Sequence, residues 1–196
     1  MFTRNPANFV VTDVSTLSEN LSGLEQTGID LSFDWTLPLG AGNLNFRGLV
    51  TRLLSMEQQE TSVDPFIARE GTISQTVASA FPKIKGVLTT GWSSGPWQLR
   101  YNLRYIDSMD VVNSNALLSR PATGVKDYVP TYLYHDLTAR WNANDMLALT
   151  LGVTNIADKA PPLYTTDSQA GIQSNTDPST YDVLGRRYFM NVMVTF

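Results

Sequence analysis

A nucleophile, a proton carrier, a set of metal ligands or a charged patch would each leave a mark in the sequence. The chain has one histidine, His135, and no cysteine, which excludes disulfides, thiolate catalysis and thiolate metal sites. A Ser/His/Asp triad would have to use His135. That residue lies between Leu133 and Leu137, on the apolar parity of an alternating segment, where it reads as wall rather than as a base. The glycines show no phosphate-loop order, and TGIDLSFDW is a strand pattern rather than a nucleotide turn. Four acids, Asp158, Asp167, Asp177 and Asp182, fall in one long loop and offer oxygen ligands to Ca²⁺, although loop acids are commonly just solvated. No catalytic set, cofactor site or metal site is expected. The remaining feature is electrostatic: Lys85, Arg100 and Arg104 share one parity on two adjacent predicted strands, a basic stripe able to draw an anionic small molecule.

The elements that must position these residues are strands. The segment GIDLSFDWTL puts Ile29, Leu31, Phe33, Trp35 and Leu37 on one face and Asp30, Ser32, Asp34 and Thr36 on the other. WQLRYNLRYID repeats the pattern, with Trp97, Leu99, Tyr101, Leu103 and Tyr105 against Gln98, Arg100, Asn102 and Arg104. Further strands are predicted over 43–56, 83–92, 131–142, 146–156 and 185–196. These make about seven strands, each near ten residues, longer than the five or six usual in soluble sheets and matched to a tilted bilayer-spanning strand of 9 to 11. No apolar run reaches the ~18 residues of a membrane-spanning helix. The start, MFTRNPANFVV, lacks the layout of a signal peptide.

The connections alternate in length. Tight turns at Pro38–Gly42, Ser93–Pro96 and Asn142–Asp145 take turns with long polar segments at Glu57–Pro82, Val111–Pro130 and Ala157–Leu184. All short connections then lie at one end of the sheet and all long ones at the other, as in transmembrane barrels. Trp35, Trp92, Trp97 and Trp141 flank the short turns on the apolar parity, the position of an aromatic girdle at headgroup depth. Arg47, Lys83, Lys85, Arg100, Arg104, Arg140 and Arg187 keep to the polar parity, as a lipid-facing cation at mid-membrane costs roughly 2 to 4 kcal/mol. Arg52 departs from this rule far up its strand, where it can snorkel, and His135 is the other departure. The chain is 42% hydrophobic but only 16% charged, with a net charge of −4, so it carries no basic footprint for nucleic acid.

The last third of the chain resembles the C-terminal end of TonB-dependent outer-membrane receptors. LTLGVTNIADKAPPLY followed by YDVLGRRYFMNVMVTF carries that family's pattern at Gly152, Val153, Asn155, Ile156, Asp158, Pro161 and Pro162, then at Tyr181, Asp182, Gly185 and Arg186. RNP at Arg4–Pro6 and LEQTGIDLSF at Leu24–Phe33 resemble an external loop of the family and the strand after it. The resemblance implies an all-β fold, an antiparallel transmembrane β-barrel segment of seven or eight strands belonging to a barrel of about 22. Residues 1–196 would be the C-terminal portion of the barrel domain, without the signal peptide, TonB box and plug domain. It also implies a Gram-negative outer membrane, surrounding lipid, a small-molecule ligand, and a TonB energising complex engaged through the N-terminal part. The function implied is active uptake of a scarce nutrient such as a ferric siderophore, cobalamin or a carbohydrate, and no enzyme activity. The last strand, with Tyr188, Met190, Val192, Val194 and the terminal Phe196 on one parity, resembles the signal read by the barrel-assembly machinery. In that setting Lys85, Arg100 and Arg104 would either contact ligand or pair with plug carboxylates.

Two other classes remain open. One is a small stand-alone outer-membrane barrel, a pore or structural protein, if Asn8–Ser15 adds an eighth strand and pairs with the last one. The other is a soluble lipocalin-like binder with its apolar side turned inward. Catalysis is known on outer-membrane barrels, so barrel architecture does not by itself decide against it.

Overall fold

Alternating side chains in segments of this length have one way to satisfy their backbone, which is to pair laterally with their neighbours. A computed structural model of the chain describes residues 2–4, 11–14, 23–59, 63–74, 80–111, 128–164 and 176–195. Seven long strands form one sheet: β1 (Gly23–Leu39), β2 (Gly42–Gln59), β3 (Ile84–Ser94), β4 (Trp97–Ile106), β5 (Tyr132–Asn142), β6 (Leu147–Thr154) and β7 (Arg187–Val194). Each pairs antiparallel with the next in chain order, so the sheet is a meander whose edges are β1 and β7. All seven predicted strands are present.

The turn chemistry sets the hairpins. Gly95, at φ 52°, precedes Pro96, and Gly40, at φ 60°, opens the turn to β2. A positive φ at the first central residue followed by a negative one matches the right-handed twist of the flanking strands. At the third short connection Met146 N donates to Asn144 Oδ1 at 2.9 Å.

The register sorts the side chains as the alternation predicts. One face carries Leu31, Phe33, Trp35, Leu99, Leu133, Leu137, Leu151 and Tyr188, all exposed although large and apolar. Leu31 is 65% exposed and Tyr188 76%, far from the burial of a soluble core. The opposite face carries Asp34, Arg47, Thr89, Asn102 and Asp136 in one row across five strands. A lipocalin-like arrangement would bury the apolar face, so the observed exposure runs against that alternative.

Three features depart from the sequence expectations. First, β1 and β2 have 17 and 18 residues rather than about ten. At roughly 3.3 Å per residue this hairpin extends well past β3 and β4, whose outer ends pair with Arg52 and Lys85. A bulge between Thr27 and Gly28 marks the place where the hairpin outruns its neighbours. Second, the long polar segments are not plain loops. Strands Thr72–Ile73, Ala80–Phe81, Met109–Val111 and Tyr128–Val129 make a small sheet, and Ile67–Ala68 pairs with the end of β2. Third, within Asn8–Ser15 a strand does form, at Val11–Val14, but it pairs with Phe2–Arg4 rather than with β7. The lateral closure on which the small stand-alone barrel depended is therefore not made by these residues. Phe196 and Asp167 lie outside the described residues.

The buried core sits at the long-connection end, against the polar face. It comprises Ile73, Ile106, Met109, Val129, Tyr132, Tyr134, Tyr164 and Tyr181. Ile106, Tyr132 and Tyr134 come from the strands and the rest from the connecting segments, so the connections are packed down onto the sheet.

Candidate functional site on the polar face

The polar face builds its chemistry from cross-strand neighbours. Asp34 on β1 stands opposite Arg47 on β2. Arg47 donates through Nε at 2.7 Å to Asp34 Oδ2, and Asn45 Nδ2 donates to Asp34 Oδ1 at 2.8 Å. Both charges are largely exposed, so the pair orders the face more than it stabilises it. Thr89 Oγ1 donates to Asn102 Oδ1 at 2.9 Å. Arg140 Nε donates to Asn142 Oδ1 at 2.9 Å.

The predicted basic stripe is regrouped. Lys85, Arg100 and Arg104 do share the polar face of β3 and β4. Arg104, however, lies 4.8 Å above the Tyr134 ring and 3.4 Å from Asp136 Oδ2, a distance for charge attraction without hydrogen-bond geometry. Its charge is met from β5, which only strand adjacency could reveal. Arg100 instead lines a depression of about 770 Å³ together with Arg47 and Arg140. Asn45, Gln98 and Asn102 also face this space. Arg47 and Arg140 carry the right parity in the sequence, but their convergence on Arg100 required the register of β2 through β5. The depression is polar, open and near the short-turn end, a place for hydrogen bonding and weak anion attraction.

Three of the four loop acids, Asp158, Asp177 and Asp182, are among the described residues, and each meets protein donors. Asp158 Oδ1 accepts from Arg186 N at 2.8 Å, and Asp182 Oδ1 accepts from Leu184 N at 3.0 Å. Asp182 Oδ2 also lies 3.2 Å from Arg187. Asp177 is fully buried and accepts from Ser179 N, Ser179 Oγ and Thr180 Oγ1. Each carboxylate is committed to nearby protein donors. Among the described residues no group of three or more potential ligands is gathered for a metal.

His135 lies on the apolar face, paired with Leu103, and its Nδ1 is 2.6 Å from Tyr101 Oη. A polar side chain is tolerable there because its ring nitrogen has a partner on the same face. The four tryptophans all occupy the apolar face, and Trp97 and Trp141 stack with centroids 5.9 Å apart. Trp35 stacks on Phe46 at 6.0 Å.

Tyrosines missed as a group in the sequence dominate the long-connection end. Tyr132 and Tyr181 meet edge to face at 4.9 Å, and Lys159 Nζ lies 5.0 Å from the Tyr132 ring centroid. Tyr134 Oη accepts from Asp182 N at 3.2 Å. Burial pushes the Tyr164 and Tyr181 phenols well above their ordinary value, with Asp177 adding to the effect on Tyr164 and the neighbouring phenols to that on Tyr181. The cluster is thus a neutral, packed seal between connections and sheet.

An antiparallel meander with an exposed apolar face, a polar opposite face and all long connections at one end has the design of a β-barrel wall. The chain belongs to the family described as TonB dependent receptor-like, beta-barrel, which matches residues 2–156. That family comprises receptors and transporters rather than catalysts. Two solved mutant forms of the ferric enterobactin receptor PfeA of Pseudomonas aeruginosa share the fold, each with a TM-score of 0.58 and 18% identity over 87% of this chain. The ferric-catecholate import receptor Fiu of E. coli aligns more loosely, with a TM-score of 0.46 and 13% identity over 96% of this chain and 30% of its own. A comparison with curated proteins finds no match. The chain spans 22% of the length of the PfeA structures.

Proposed function

We propose that this chain is the C-terminal part of the wall of an outer-membrane receptor that takes up a scarce nutrient by TonB-dependent transport. The observation that carries the reading is the division of one meander into an exposed apolar face and a polar face bearing Arg47, Arg100 and Arg140. The apolar face suits lipid, and the polar face suits the inside of a wide barrel. The match of residues 2–156 to the receptor family supports the same reading. In it the aromatic pairs at the short-turn end belong to the inner-leaflet girdle, and the Tyr188, Met190, Val192, Val194 series of β7 serves assembly. The substrate class is a ferric siderophore, cobalamin or a carbohydrate. The ferric chelate comes first, because Arg100 and Lys85 have no acidic partner among the described residues and favour an anion.

The test is localisation followed by uptake. A tagged receptor should fractionate with the outer membrane, and a deletion strain should lose growth when one of these nutrients is limiting. Arg100→Gln with Arg140→Gln should leave membrane insertion unchanged and lower uptake if the substrate is anionic. Growth of the deletion strain equal to wild type on every limiting nutrient would overturn the transport reading.

A further inference from the structure

The last strand poses a problem of register. All eight residues of β7 are exposed, and among the described strands it pairs only with β6. A slip of two residues would preserve the alternation of faces, so apolar patterning alone does not forbid it. Backbone ladder bonds are equally available in the slipped alignment. Within the ladder the Phe189 ring over Gly152 favours the observed alignment, and the turn that leads into β7 offers a second, independent selector.

We infer that Asp158 is a clasp that sets the register of the last strand. The strand β6 ends where Asn155 takes φ 52°, and Asp158 follows at φ 50°, two left-handed residues of the types that tolerate that conformation. Asn155 N donates to Asp136 Oδ1 on β5 at 2.8 Å. The Asn155 side chain closes the turn from both sides, accepting from Lys159 N at 2.8 Å and donating to Lys159 O at 3.0 Å. This fixes where the Asp158 carboxylate points.

Asp158 then captures the chain at the entrance to β7. Its Oδ1 accepts the backbone N–H of Arg186 at 2.8 Å, and its Oδ2 lies 3.8 Å from the Arg186 guanidinium. Arg186 in turn donates through Nη1 to Ile156 O at 3.3 Å. Gly185 makes the approach possible: its φ is 71°, and a Cβ there would stand 2.9 Å from Asp158 Oδ1. The next residue, Arg187, is already in the ladder opposite Thr154. The grip on the Arg186 amide therefore specifies which residue of β7 meets the end of β6. Through Asp136, which also attracts Arg104, the same network reaches back to β4.

Cross-linking in outer-membrane fractions reads the register directly, and does so whether or not the protein transports anything. Thr150 faces Asn191 in this alignment, and a two-residue slip would bring Phe189 or Met193 opposite it. Cysteines are placed at 150 with 191, 189 or 193 and joined with a short thiol-reactive reagent. Asp158→Ala should reduce the 150–191 product several-fold, with the 150–189 or 150–193 product gained or the protein failing to accumulate. Asp158→Asn keeps an oxygen for the Arg186 amide and should accumulate with the native product. Any other pattern, above all Ala and Asn variants behaving alike, would overturn the clasp.

Discussion

Gly48 and Gly152 show at the residue scale how the wall is knit together. The Phe33 ring lies over Gly48 across the β1–β2 pair, and the Phe189 ring over Gly152 across β6–β7. A Cβ at either glycine would fall inside the covering ring's contact distance. Gly48→Ala should therefore destabilise the folded receptor by about 1 to 3 kcal/mol, as overpacking does. Denaturant unfolding in detergent measures this, and restored stability in Gly48→Ala with Phe33→Leu would identify the ring as the cause. Tyr181 makes the opposite case. Its hydroxyl is buried with no hydrogen-bond partner among the described residues, so Tyr181→Phe should cost less than about 1 kcal/mol or even stabilise. Its raised pKa fixes the pH response. The neutral phenol is the form that fits, so its contribution is complete below about pH 10 and is lost as pH rises from the unfolded phenol's value through the folded one. Tyrosinate absorbance should show a late-titrating fraction that shrinks in Tyr181→Phe. An unchanged late fraction would mean that Tyr181 is not among the late-titrating phenols.

The long β1–β2 hairpin gives the clearest expectation at the element scale. Only 9 to 11 residues are needed to cross the bilayer, so Gly23–Gly28 and Leu53–Gln59 should stand outside it. Leu24 and Leu54 are exposed in the projecting part, and Leu31 is exposed in the part that the proposed function puts against lipid. Leu24→Cys and Leu54→Cys should react with a membrane-impermeant thiol reagent on intact cells, and Leu31→Cys should not. Equal reaction at all three would place the hairpin wrongly. The tryptophans test the other end. Trp35 lies on a different hydrogen-bonded row from Trp97 and Trp141, but strands tilted by about 35 to 45° make rows climb through the membrane. Quenching by brominated lipids should thus be strongest near the headgroups for each tryptophan, studied singly. Deep quenching of Trp35 alone would remove it from the girdle.

The two unpaired edges decide the behaviour of the whole molecule. Neither β1 nor β7 is paired on its outer side by any described strand, and both are exposed along most of their length. Residues 1–196 produced alone should refold in micelles as heterogeneous oligomers, because open edges beside an apolar face associate. A monodisperse, heat-modifiable monomer would instead indicate a closed small barrel.

Much of this architecture is legible in the sequence because period-two alternation and turn chemistry are local properties. Ile29 through Leu37 can face one way only if the chain is extended, and Gly95-Pro96 reverses it in two residues whatever lies around it. The seven strands, their faces and the short turns follow from such local signals. Other features depend on which strands become neighbours. Alternation marks Arg104 only as one member of a basic stripe; the pairing of β4 with β5 brings Asp136 to it, while the same register gathers Arg47, Arg100 and Arg140 around one depression. Tyr164 and Tyr181 lie in segments that read as polar loops, and only the folding of those connections onto Ile106 and Tyr132 makes them core. The sequence by itself determined what each residue can pair with; tertiary structure decided which partner is within reach, because charge attraction and burial act over a few ångströms of space and not along the chain.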